Sequence, residues 1–80
     1  MNIVTRDEID ISFRLLVEAV NKRNKTEESI FYYKFEGMIE GLCCANILSD
    51  KAYDFLLNAA WEVYFNGNNN IFFKECEVSY

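Results

Sequence analysis

Apolar residues recur every three or four positions in three stretches of the chain, the spacing of helices that each bury one face. In the first stretch Ile9, Phe13, Leu16, Val17 and Val20 form the stripe, Ile11, Leu15 and Ala19 widen it, and Arg14, Glu18 and Asn21 are left for water. "TRDE" ahead of it reads as a capping box, with Thr5 as N-cap and Glu8 three residues on. Asp7, Glu8 and Asp10 at the start, and Lys22, Arg23 and Lys25 near the end, suit the helix dipole. The pattern predicts a helix over 6–22.

A polar break at 21–25 precedes a second helix, predicted over 27–47, with Thr26 as N-cap and Glu27 and Glu28 in its first turn. Phe31, Phe35, Met38, Leu42 and Ala45 make one apolar line, interrupted only by Lys34, Glu36, Glu40 and Asn46 on the rest of the surface. Tyr32 and Tyr33 point away from that line. They are candidate contact residues, since tyrosine is enriched in interface hot spots, or else a tyrosine lying over the first helix with its hydroxyl in water.

Ser49 is the candidate N-cap of a third helix, predicted over 50–65, whose one narrow polar line is Lys51, Asp54, Asn58 and Glu62. A helix so nearly apolar all round is either central or shared with a neighbour, so part of it is expected to face a second chain. Gly67 suits a left-handed C-cap. Beyond it "IFFKECEVSY" alternates and predicts an extended tail over 71–79, with "NIVT" at 2–5 as its candidate partner strand. The fold expected is mainly α, a compact three-helix domain over 1–80 with a short C-terminal β-like extension.

Composition sharpens this in two ways. Chains of 80 residues have marginal cores, yet 51% of this one is hydrophobic and 16% aromatic. That is more apolar surface than three short helices easily hide, and a homodimer is the expected outlet. Net charge is −5 and is concentrated in 26–62, where seven acids face two bases. Binding to nucleic-acid phosphates selects a basic face, so no direct nucleic-acid contact is expected. A helix-turn-helix reading of the tight connection at Leu48-Ser49-Asp50 meets the same objection, because Lys51, Asp54, Asn58 and Glu62 would present an acidic line to the phosphates. An acidic middle suits a basic partner surface, or solubility alone. No apolar run reaches the roughly 18–20 residues of a membrane span, and the N-terminus lacks the layout of a secretory signal. The expected location is the cytoplasm, with no membrane contact.

The chemical inventory is bare. Histidine, the usual general base near neutral pH, is absent. Cys43 and Cys44 are adjacent and Cys76 stands apart, without the Cys-x-x-Cys spacing of a zinc site. Their neighbours are apolar or acidic and do not activate a thiolate. Glu36 and Glu40 share a helical face, as ordinary surface pairs do. Neither catalysis nor any metal or cofactor is expected. Gly37, Gly41 and Ala45 follow a four-residue small-residue spacing. A glycine inside a helix costs about 1 kcal/mol relative to alanine, so close packing is the expected compensation. Trp61 or Tyr64 of the same chain would lie against the glycines, or a second copy would form a dimer seam there.

A tiny, acidic, catalytically bare chain rich in Asn, Lys, Ile, Tyr and Phe is similar in general character to accessory proteins of bacteriophages and mobile elements. Some of those inhibit host defence nucleases by covering surfaces that engage nucleic acid. The expectation is a small non-enzymatic protein-binding domain, in its most concrete form an anti-CRISPR-like inhibitor that occupies a basic surface of a defence complex. Glu36, Glu40, Asp54 and Glu62 would oppose that surface, with Tyr32 and Tyr33 as anchors. The alternative is a small homodimeric transcriptional regulator or an assembly protein.

Overall fold

A computed structural model describes residues 3–67, which form α1 (Ile3–Asn21), α2 (Lys25–Cys44) and α3 (Asp50–Asn66). The fold is mainly α, and each helix packs on the other two. Ile9, Phe13 and Leu16 of α1, Tyr32, Phe35 and Ile39 of α2, and Leu56, Ala59, Ala60 and Val63 of α3 meet in one buried cluster, closed by Leu48. Phe13 and Phe35 meet edge to face at its centre, ring centroids 5.6 Å apart, the geometry that ring quadrupoles favour.

The helix ends are set by local chemistry, and three of them differ clearly from the sequence expectation. α1 begins at Ile3, so Thr5 is its third residue and not its cap. Residues 3–5 are therefore helical and are no partner strand; the tail at 71–79 and Cys76 lie outside the described residues. α1 ends where Arg23 takes a left-handed φ of 57°. The Asn24 amide then reaches back to the Ala19 carbonyl at 3.1 Å, the six-to-one bond of a Schellman ending.

Asn24, and not Thr26, caps α2: its side chain accepts from the Glu27 amide at 3.2 Å. Asn46, with φ of 60°, ends α2 three residues ahead of Ser49. The Ile47 amide donates to the Leu42 carbonyl at 3.0 Å, so 45–47 form the turn and not the last helical residues. Ser49 caps α3 as expected, accepting from the Ala52 amide at 3.1 Å. Gly67 closes α3 with φ of 65°. Replacing a capping Asn by Ala costs about 1 kcal/mol, whereas an exposed Thr past the cap costs less than about 0.5 kcal/mol. Urea melts should show Asn24→Ala clearly destabilised and Thr26→Ala nearly unchanged; equal losses would contradict this cap assignment.

The buried faces are also rotated from the expected ones. On α2 the fully buried line is Glu28, Tyr32, Phe35 and Ile39, while Phe31, Met38 and Leu42 are only partly buried and Ala45 is exposed. On α1 Ala19 is buried, but Ile11 and Leu15 are exposed and do not widen the core stripe. The reason is geometric: α2 sits in the angle between α1 and α3, so its deepest residues lie between the two faces that it presents to them.

Candidate protein-binding face between α2 and α3

Each side of α2 serves one neighbour. Met38 faces α1, where the Ser12 hydroxyl donates to its sulfur at 3.8 Å. Ser29, Tyr32 and Cys43 face α3. Ser29 Oγ and the Tyr64 hydroxyl share a hydrogen bond of 2.8 Å, and Tyr32 stacks on Tyr64 with centroids 4.5 Å apart and planes 19° from parallel. Phe65 meets Tyr32 edge-on at 5.7 Å, and Trp61 lies 5.1 Å from Phe65. Tyr33 leans on Tyr32 at 5.2 Å. Five rings thus form a continuous cluster where the start of α2 meets the end of α3. Tyr32 is its buried base, whereas Tyr33 (60%), Trp61 (45%) and Phe65 (55%) are largely exposed.

Acids continue from the rings along the same junction. A depression of about 400 Å³ is lined by Tyr32, Glu36, Leu57, Asn58, Trp61 and Glu62. Burial, and then the nearby Glu36 carboxylate, hold the Tyr32 hydroxyl above its ordinary range. Burial followed by Glu40 and Glu36 does the same for Tyr53 of α3, which places both α2 carboxylates beside that helix. At the far end the Cys43 thiol donates to Asp50 Oδ1 at 3.2 Å, with Asp54 close by.

Two of the four acids of α1 differ from these. There Asp10 pairs with Arg14 at 2.8 Å and Glu18 with Lys22 at 2.7 Å. Among the described residues no cation pairs with Glu36, Glu40, Asp54 or Glu62. Glu62 instead accepts from Asn66 Nδ2 at 3.1 Å. A larger depression of about 620 Å³ at the α1–α2 turn is lined by Arg23 and Lys25 as well as Glu28, so it does not share the single sign of the first.

The structure therefore gathers Tyr32, Glu36, Trp61 and Glu62 in one depression, with Tyr33 and Tyr64 in the rings above it and Glu40 beside Tyr53. It does not bring Trp61 or Tyr64 to the glycines. Gly37 and Gly41 point away from both neighbouring helices, and a Cβ built on either meets no atom within 4 Å. The intrachain packing expected of them is thus not made, because α3 lies against the Tyr32–Glu36 side of α2. Tyr32 is likewise a core residue at 4% exposure and offers a partner little surface beyond its edge on the depression.

Sequence reasoning missed Phe65 as an exposed ring and Glu28 as a buried acid. Glu28, Tyr32, Phe35 and Ile39 are spaced four, three and four apart, a signal that was present but hidden by the charge of Glu28.

The Asp50 hydrogen bond, then burial, raise the pKa of Cys43, and the thiolate is the reactive form. At pH 8 Cys43 should alkylate more slowly than a cysteine in a short peptide, and Asp50→Asn should speed it. Mass-spectrometric alkylation rates check this; a peptide-like rate unmoved by Asp50→Asn would contradict it.

Among the described residues no helix is long and apolar enough to cross a membrane. Compared with protein-family models, curated proteins and solved structures, the chain matches none.

Proposed function

We propose that this protein is a non-enzymatic binding protein that acts by occupying a basic surface of a partner protein with its α2–α3 face. The observation that carries this is the combination of exposed rings, Tyr33, Trp61 and Phe65, with acids that no cation of the described chain neutralises. Complementary charge speeds and orients encounter, while large rigid rings supply contact area at low entropic cost. Basic protein surfaces of this kind are what nucleic-acid-handling complexes present, and an anti-CRISPR-like inhibitor of a host defence complex is the concrete form of the reading. A bacterial cytoplasm is the matching setting. The chain would work there without catalysis, metal or cofactor.

The test is capture from a native-host lysate with wild type and a Glu36→Lys/Glu40→Lys variant side by side, after circular dichroism has shown equal helicity. A partner with a basic surface should be retained by wild type and lost by the variant. Undiminished capture by the variant would refute the electrostatic face.

A second reading, a homodimeric transcriptional regulator or assembly protein, draws on a different surface. Ile11 (57% exposed) and Leu15 (39%) lie one turn apart on α1, and such a pair suits a second copy of the chain. Light scattering separates the two: a monomer at high concentration removes the second reading and leaves the first intact.

A further inference from the structure

We propose that the depression between Trp61, Glu36 and Glu62 is a socket for one arginine side chain of the partner. This rests on the reading of the α2–α3 face as the binding surface and goes on to name the group that the face receives.

Three features of the socket select a guanidinium. The first is charge: two carboxylates, one from each helix, line a single depression with Tyr32, Leu57, Asn58 and Trp61, and neither is paired with a cation of the described chain. The second is shape: the half-exposed Trp61 indole, a planar ring, is among the residues lining the depression, and a guanidinium stacks on an indole face while keeping its edge donors free. The third is orientation. Asn66 donates to Glu62 Oε2, which engages one carboxylate oxygen and leaves the other to accept. Glu36 lines the same depression from α2. An ammonium would satisfy the charge but neither the planar ring nor the paired edge, because it is a compact, strongly hydrated point charge. Leu57, also in the lining, offers apolar surface for the methylene stem that such a side chain carries.

Trp61 is the only tryptophan of the chain, so its fluorescence reports on this socket alone. The experiment titrates the full chain with two blocked pentapeptides, glycine flanking one arginine or one lysine, following Trp61 emission and the indole N–H resonance. The arginine peptide should shift both signals saturably and bind several-fold more tightly than the lysine peptide. Glu36→Gln and Glu62→Gln should each weaken it by about tenfold, the effect of one charge-assisted hydrogen bond. No saturable shift up to about 10 mM peptide, a bound weaker than any useful anchor, overturns the proposal, as does equal binding of the two peptides. Failure of the socket is distinguishable from failure of the face. If capture of the partner is lost with Glu36→Lys/Glu40→Lys but Trp61→Leu leaves it unchanged, the face stands and the socket falls.

Discussion

Phe35→Ala is expected to remove a large share of the domain's stability and to move its urea midpoint far below that of wild type. Phe35 has no exposed surface and meets Phe13 edge-on at the point where all three helices converge. Truncating a buried phenylalanine costs about 3–5 kcal/mol, the lost transfer energy plus a cavity that rigid neighbours do not fill. An 80-residue domain has on the order of 4–12 kcal/mol in total, so the loss takes a large share of it. The same logic separates two adjacent tyrosines. Tyr32→Ala removes a buried ring that stacks on Tyr64 and should cost nearly as much. Tyr33→Ala trims a ring that is 60% exposed and should shift stability by less than about 1 kcal/mol. Circular dichroism and urea melts decide it; a cooperative melt of Phe35→Ala at the wild-type midpoint would contradict the assigned core.

Gly37→Ala combined with Gly41→Ala is expected to act in the opposite direction. Both positions are helical and exposed, and neither has an atom that an added methyl would strike. Alanine removes backbone freedom from the unfolded chain and favours the helix by about 1 kcal/mol at each site. For a domain of this size the pair should raise the melting midpoint on the order of 10 °C. Monomer and oligomer give different results here. If a second copy packs on this surface, the methyl groups hold it off, and the variant dissociates or melts lower. A raised midpoint with unchanged hydrodynamic size is the predicted outcome.

The number, type and order of the helices were legible because the three apolar periodicities are strong and their breaks are polar. Ser49 and Gly67 were legible as caps because each has one role that its neighbours leave open. The start of α1 was not, because the helix runs back through Ile3 and Val4, β-branched residues that read as a strand. The start of α2 was missed because Asn24 and Thr26 are both good caps, and the choice depends on where Arg23 turns the chain. Rotation of α2 was the costliest error. Its sequence is apolar on most sides, so periodicity could not tell whether Phe31 or Tyr32 lies deeper; only contact with both neighbours decides. Tyr32 is therefore core and not surface, and the glycines do not pack on α3.

How the acids lie relative to one another was not legible. Glu36, Glu40, Asp54 and Glu62 were picked out on two separate helices from charge alone. Three of them adjoin α2–α3 features, Glu36 and Glu62 in one depression and Glu40 beside Tyr53. Asp54 lies near Cys43 at the other end of the junction. Their alignment depended on how two helices pair, which no single-helix pattern contains.

On the proposed reading this face, and not the net charge of the chain, recognises the partner. The most direct measurement compares partner affinity for two variants with the same change in net charge. One carries Glu36→Gln, Glu40→Gln, Asp54→Asn and Glu62→Gln; the other carries Asp7→Asn, Glu8→Gln, Asp10→Asn and Glu18→Gln on α1. Binding that falls at least about tenfold in the first and stays within about twofold of wild type in the second is the predicted result. Equal losses in both, or none in the first, would contradict it.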